Sequence, residues 1–207
     1  MSPARRLLAV AAAVALGWFA HHLIFSGQKV TNRHGPGWAI VCFGDSLTAG
    51  TGAAPDQSYP AHLARRLGRA VINAGVPGDT TASALARVPQ DVLEHCPRIV
   101  CITLGGNDVK NGVDREEAFA HLETIVGTIH SSGAMVVLMG IELPLFGRGW
   151  SEGYRDLAKR TGSVLIPNVY DGLMGRPELM SDPVHPNGRG YELLARRVHR
   201  AIKPYLP

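Results

Sequence analysis

The chain has 207 residues, enough for one domain with a well-covered core and too few for two ordinary domains plus a terminal extension. Its 45% hydrophobic and 18% charged residues exclude a disordered protein. The formal net charge is +4, but the basic residues of 65–69 and 196–203 fall on polar faces of predicted helices. A solvated helix face therefore explains them better than a nucleic-acid partner, and no nucleic acid is expected to bind. Three cysteines cannot build a disulfide framework, and their spacing does not suit a zinc site.

The first segment has the pattern of an export signal or a membrane anchor. Arg5 and Arg6 precede an apolar run that extends from Leu7 to Phe25 and is interrupted by two histidines. Cleavage after the small residues of this run would leave Trp18 and other large apolar residues on the new terminus, which favours an uncleaved inner-membrane anchor. A soluble periplasmic or secreted protein, produced by signal cleavage, is the alternative. We therefore predict an anchor or signal at 1–25, a linker at 26–37 and one extracytoplasmic domain at 38–207.

From Trp38 onward, short apolar runs alternate with longer helical patterns, which is typical of a parallel sheet with helices on both faces. The predicted strands are Trp38 to Phe43, Ala70 to Asn73, Ile99 to Leu104, Met135 to Gly140 and Val164 to Ile166. The predicted helices are Tyr59 to Leu67, Thr80 to Arg87, Asp114 to Ser131, Ser151 to Thr161 and Asn187 to about Ile202. The pattern thus predicts an α/β fold with three layers, α/β/α, and a central five-stranded parallel sheet, preceded by an N-terminal hydrophobic helix.

The first predicted strand stops at Gly44-Asp45-Ser46, so Ser46 lies where open α/β sheets bind their ligands. Many loops contain this tripeptide as an ordinary turn or helix cap, so by itself it is a weak signal. Within the strand, Cys42 is predicted to be a buried packing residue, whereas Cys96, in a predicted loop, is the one plausible reactive thiol. A serine hydroxyl is a poor nucleophile at neutral pH, so a catalytic Ser46 needs a base within hydrogen-bond reach.

His185 differs from the other eight histidines because it lies in a proline-bracketed loop directly before the last predicted helix. Asp182 stands three residues earlier, so its carboxylate can reach the imidazole Nδ1 and leave Nε2 free to accept a proton. The same residues also suit a turn cap followed by an ordinary loop histidine. Without the serine motif, a catalytic pair and an ordinary turn are equally good interpretations of Asp182 and His185.

Two further strand ends carry residues suited to holding a developing negative charge. Gly105-Gly106-Asn107-Asp108 follows the third strand, and the Asn107 amide can donate a hydrogen bond without competing as a base. Gly78 follows the second strand and precedes an Asp-Thr pair suited to starting a helix, so its backbone N–H can face the same place. Both stretches also have the composition of ordinary turns.

Together these blocks resemble the SGNH (GDSL-type) hydrolase superfamily, and most closely its bacterial exported thioesterase, arylesterase and lysophospholipase branch. The blocks are Gly44 to Gly50, Asn73 to Thr81, Gly105 to Asp108 and Asp182 to Pro186, in the family's order. The resemblance implies a flavodoxin-like sheet, with Ser46 as nucleophile and Asp182 and His185 completing a catalytic triad. It also implies an oxyanion hole formed by Ser46, Gly78 and Asn107, with no metal or organic cofactor.

The resemblance predicts a serine esterase or lipase-type hydrolase of small-molecule or lipid esters, such as aryl esters, short-to-medium acyl esters, thioesters or lysophospholipids. The loop Val109 to Val113 carries a lysine where this branch lines its acyl site, and Leu145 to Trp150 is apolar and aromatic. A deacetylase of envelope polysaccharide and a catalytically silent anchored binding module are the alternatives. The sequence leaves the natural acyl and alcohol groups and the oligomeric state open.

Overall fold

Five parallel strands form the sheet of the computed structural model, which describes residues 29–142 and 149–206. The strands are β1 (Ala39–Gly44), β2 (Ile72–Gly75), β3 (Pro97–Thr103), β4 (Met135–Met139) and β5 (Val164–Ile166). Their order across the sheet is β2-β1-β3-β4-β5, and every neighbouring pair is parallel. The predicted five-stranded parallel sheet is therefore confirmed.

Helices cover both faces of this sheet. They are α1 (Ser46–Ala49), α2 (Tyr59–Leu67), α3 (Thr81–Asp91), α4 (Gly106–Asn111), α5 (Arg115–Ser131), α6 (Trp150–Thr161) and α7 (Gly188–Ile202). Short 3₁₀ helices occupy Pro55–Gln57, Leu93–His95, Pro177–Leu179 and Lys203–Tyr205. Right-handed crossovers in this strand order place α2 on one face and α3, α5 and α6 on the other. Accordingly α2 packs against α7, whereas α5 packs against both α3 and α6.

The central strands supply the core because both of their faces are covered. Every residue of β1 and β4 is buried, whereas the edge strands β2 and β5 are partly exposed. Such strands read as continuous apolar runs, which is why the sequence pattern identified them. Cys42 of β1 pairs in register with Cys101 of β3 and both are fully buried, which confirms that Cys42 is a packing residue. Cys96 is exposed.

The structure departs from the predicted boundaries in a few places. The helix predicted to end at Arg87 continues to Asp91 and includes Pro89, although a proline inside a helix removes one backbone hydrogen bond and crowds the carbonyl four residues earlier. Thr80 is the N-cap of this helix and accepts a hydrogen bond from the Ser83 N–H. Helices α1 and α4 were not predicted, since four and six residues are too short to show a helical period.

The predicted hydrophobic helix at 1–25 and residues 143–148 of the apolar stretch lie outside the described residues. Within 29–142 and 149–206, no helix is both long and apolar enough to cross a membrane. Several residues of the predicted linker contact the domain, among them Val30, which packs against the core, and Gly35, whose carbonyl accepts from the Arg98 guanidinium at 3.0 Å. Thr31 N donates to the Gly162 carbonyl at 2.9 Å, and Asn32 Nδ2 donates to the His130 carbonyl at 2.7 Å.

Candidate active site

Ser46 is the first residue of α1, directly beyond the carboxyl end of β1. The chain turns there because Asp45 caps the short helix, with its Oδ1 accepting from the Leu47 N–H at 2.9 Å. The Asp45 N–H donates to the Thr103 carbonyl of β3 at 3.2 Å. The serine is therefore held at the β1/β3 junction, which is the point where the strand order of this sheet reverses and ligands bind.

His185 and Asp182 lie in the loop before α7, and this loop reaches Ser46 across the sheet edge. His185 Nε2 is 2.9 Å from Ser46 Oγ, and His185 Nδ1 is 2.7 Å from Asp182 Oδ2. An ionised carboxylate only accepts hydrogen bonds, so Nδ1 carries the proton and donates it to Asp182. Nε2 is then the acceptor for the Ser46 hydroxyl. The three side chains predicted to form a triad are thus brought together in one hydrogen-bonded chain.

The Asp182 carboxylate is fixed by more than the imidazole. Its Oδ1 accepts from the Val184 N–H at 2.9 Å and from the His185 N–H at 2.8 Å. Partial desolvation raises the pKa of Asp182, but these backbone N–H groups and His185 favour the ionised form and hold its pKa below the ordinary value. Asp182 therefore stays charged at neutral pH, and the exposure of 44% of its side chain to water also favours the charged form.

One hydrogen bond from outside this loop and one within it hold the loop in place. The Tyr170 hydroxyl donates to the Val184 carbonyl at 2.9 Å, and the Ser181 N–H donates to the His185 carbonyl at 2.8 Å. Burial, together with the negative charges of Asp45 and Asp182, raises the pKa of Tyr170, so its hydroxyl keeps the proton that it donates. Sequence reasoning missed Tyr170 because nothing near it in the chain indicates a contact with residue 184.

Asn107 lies in α4, directly after β3, and lines the same pocket as Ser46. One N–H of its amide donates to the Asp79 carbonyl at 2.8 Å, so the second N–H of Nδ2 is available to a ligand. The preceding turn requires glycine at 105, where φ is +117° and a Cβ would lie 2.3 Å from the Tyr154 hydroxyl oxygen.

Gly78 lies in the loop between β2 and α3 with φ of +88°. Within 29–142 and 149–206, the backbone N–H groups of Gly78 and Ser46 make no hydrogen bond. The Ser46 N–H is unpaired because it belongs to the first turn of α1. The loop of Gly78 is tied to α4 by Asn107, and the first residue of α3 is tied to α4 by the fully buried Asp108, which accepts from the Thr81 hydroxyl at 2.6 Å.

A cavity of about 440 Å³ opens beside Ser46 and His185. Its wall is largely apolar, and the exposed Lys110, from the last turn of α4, also lines it. The other lining residues are Asp45, Leu47, Gly106, Asn107, Val109, Ile141, Tyr170 and Val184. Such a cavity suits an apolar group attached to a reacting carbonyl. In the part of the chain that the structure describes, no three His, Cys, Asp or Glu side chains converge as a metal site requires.

Asp45, next to Ser46 in the chain, contributes a carboxyl group to the lining of this cavity, with only 3% of the residue exposed. Desolvation raises its pKa to about 7, against the lowering effect of the Leu47 N–H and of His185. The neighbouring carboxylates of Asp79 and Asp108 raise the pKa further. Asp45 therefore differs from Asp182, whose pKa is lowered, and no sequence pattern distinguishes the two carboxyl groups.

A serine hydrogen-bonded to a carboxylate-oriented histidine, at the switch point of a doubly wound sheet, defines a serine hydrolase-type site. The chain belongs to the GDSL-like lipase/acylhydrolase family, whose sequence model matches residues 42–193. The resemblance found in the four sequence blocks is thereby confirmed, and the chain is a carboxylic ester hydrolase.

The relatives named for their activity include an arylesterase of Vibrio mimicus, 33% identical over 81% of this chain and 89% of that protein. A thioesterase 1/protease 1/lysophospholipase L1 of Escherichia coli (strain K12) is 31% identical over 80% of this chain and 83% of that protein. The crystal structure of TesA superimposes on this chain with a TM-score of 0.77 and 31% sequence identity. The superposition covers 82% of this chain and 100% of the TesA chain.

Proposed function

We propose that Ser46 is the nucleophile, His185 the general base and acid, and Asp182 the group that orients the imidazole. The observation that carries this proposal is the hydrogen-bonded chain from Ser46 Oγ to Nε2 at 2.9 Å and from Nδ1 to Asp182 at 2.7 Å. As Oγ bonds to the ester carbonyl carbon, Nε2 takes its proton and the carbonyl electron pair moves to oxygen.

The tetrahedral intermediate then breaks its bond to the leaving group, which takes the proton from His185 Nε2 and departs as an alcohol or thiol. An acyl group remains on Ser46. Water next attacks this acyl-enzyme, with His185 again taking a proton and returning it to Ser46 Oγ, and the acid is released. We assign the oxyanion site to the backbone N–H groups of Ser46 and Gly78 and the amide of Asn107, because each has an N–H without a partner among the described residues.

The substrate we propose is an ester or thioester with an apolar acyl group, supported by the largely apolar wall of the 440 Å³ cavity. The names of the relatives point to aryl esters, thioesters and lysophospholipids. A series of p-nitrophenyl esters from acetate to decanoate tests this choice. We expect kcat/KM to rise beyond the acetyl ester, whereas activity confined to acetyl esters would favour the polysaccharide deacetylase.

The matched test of the mechanism is Ser46→Ala beside Ser131→Ala, since Ser131 is an exposed serine on α5. We expect Ser46→Ala to lose turnover almost entirely while its unfolding transition stays close to that of the natural chain. Ser131→Ala should keep full activity. Unchanged ester hydrolysis by a folded Ser46→Ala protein would contradict the assignment and would leave the silent binding module as the alternative.

We also propose that residues 7–25 anchor the domain to the inner membrane, with the domain outside the cytoplasm. The support for this is the sequence alone, in which Arg5 and Arg6 precede an apolar run of sufficient length. Cell fractionation with protease accessibility tests it. We expect the full-length chain in the membrane fraction and accessible only from outside the cytoplasm, whereas a shortened soluble form would indicate signal cleavage.

A further inference from the structure

Arg87 lies on α3, outside the lining of the catalytic cavity, and joins three segments that end at the site. Its Nη2 donates to the Gly44 carbonyl at the end of β1 at 2.9 Å, and its Nη1 donates to the Ala74 carbonyl of β2 at 2.9 Å. Its Nε donates to the Asp79 carboxylate at 2.5 Å, in the loop of Gly78. One guanidinium thus holds two strand ends and one loop.

Further contacts hold the guanidinium itself in place. Nη1 also donates to Asp91 Oδ2, one helical turn away, at 2.8 Å. The guanidinium carbon lies 4.2 Å from the centroid of the Phe43 ring, within the range of a cation–π contact. The side chains of Arg87 and Asp79 are only 16% and 8% exposed, so water cannot readily replace either group. A planar fork with five donors is needed to reach these partners at once, and lysine lacks it.

The held segments are those that carry the proposed oxyanion donors. Gly44 is two residues before Ser46, and Asp79 follows Gly78 directly. The carbonyl of Asp79 accepts the Asn107 amide at 2.8 Å, while its carboxylate pairs with Arg87. A shift of Asp79 therefore moves both Gly78 and the acceptor that orients Asn107.

We propose that Arg87 is a positioning residue that sets the distance between the Ser46, Gly78 and Asn107 donors. This inference rests on the proposed roles of those three residues. Transition-state stabilisation depends steeply on donor placement, and a displacement of about 1 Å can cost roughly 10²-fold in rate. Arg87 touches no reacting atom, so its loss should lower kcat and leave KM nearly unchanged.

The test compares Arg87→Met, Arg87→Lys and a control, Arg196→Met. Arg196 is 51% exposed and makes an ordinary ion pair with Glu192 on α7. Endpoint labelling with a fluorophosphonate counts the competent sites, and kcat and KM for p-nitrophenyl butyrate are then given per labelled site. A purely structural role changes the number of labelled sites but not kcat per site.

We expect Arg87→Met to lower kcat per labelled site by about 10- to 100-fold with KM within about threefold. Arg87→Lys should fall between Arg87→Met and the natural chain, and Arg196→Met should match the natural chain. The loss of kcat caused by Arg87→Met should also be at least about threefold smaller when Asn107 is already replaced by alanine, because the effects of substitutions at coupled residues are not additive.

A kcat per labelled site within about twofold of the natural value, in Arg87→Met and Arg87→Lys alike, would overturn the inference. If Arg87→Met does not fold, Arg87→Lys decides alone: a loss of kcat per labelled site above about twofold supports the inference, and a smaller loss overturns it. Failure of the proposed function has a different signature, because the natural chain would then hydrolyse esters without being labelled at Ser46.

Discussion

Replacing Asn107 by alanine removes one proposed oxyanion donor and leaves the hydrogen-bonded chain from Ser46 to Asp182 in place. The Asn107 amide has two N–H groups, one of which is committed to the Asp79 carbonyl at 2.8 Å. The substitution therefore has two separable effects. The positioning bond within the protein is lost, and so is the N–H available to the developing oxyanion.

The two effects differ in size. Loss of an ordinary hydrogen bond costs about 1 kcal/mol of unfolding free energy. Loss of an oxyanion donor costs about 3 to 4 kcal/mol of transition-state stabilisation, which lowers kcat by roughly 10²–10³. Since the donor acts chiefly on the transition state, KM should change little.

The assay is the hydrolysis of p-nitrophenyl butyrate, with urea unfolding to measure stability. Asn111→Ala is the matched control because Asn111 is an exposed asparagine at the end of the same helix. We expect Asn111→Ala to keep natural kcat and KM. A kcat for Asn107→Ala within about threefold of the natural value would refute the assignment of Asn107 to the oxyanion site.

Two further predictions concern the carboxyl groups of the site. Asp182→Asn presents an amide N–H to Nδ1, which moves the imidazole proton to Nε2, so kcat should fall by roughly 10⁴. The exposed Asp156→Asn is the control and should have no effect, and equal activities of the two variants would contradict the role of Asp182. Asp45 has a folded pKa of about 7 against an ordinary 3.8, so the stability present below pH 4 is lost as the pH rises to about 7. At about 1.4 kcal/mol per pKa unit, the free energy of unfolding should fall by about 4 kcal/mol over this pH range. In Asp45→Asn this fall should be absent when urea unfolding is compared at about pH 4 and about pH 8. Parallel pH dependence in both proteins would contradict the burial argument.

The fold was predictable because the residues that define it act locally. The central strands are buried on both faces and read as unbroken apolar runs, and the long helices have clear periods and caps such as Asp114. The placement of the candidate site was predictable because Ser46, Gly78 and Asn107 each follow a strand, and parallel strands bring their carboxyl ends to one edge.

The supporting contacts were not predictable, since they join distant parts of the chain. Arg87 reaches the Gly44 carbonyl across 43 residues, and Tyr170 reaches Val184 across 14 residues. No period or motif in the sequence specifies such pairs, because they depend on how α3 and the loop after β5 pack on the finished sheet. The raised pKa of Asp45 likewise follows from burial, which the tripeptide Gly44-Asp45-Ser46 does not encode.

The central claim is that Ser46 forms the covalent bond to the acyl group. Its most direct test is labelling of the natural chain with a fluorophosphonate, followed by mass spectrometry of the peptides and assay of the remaining esterase activity. We predict one label per chain on the peptide containing Ser46, with ester hydrolysis lost in proportion to labelling. A label on another residue, or full hydrolysis by a chain labelled at Ser46, would contradict the account.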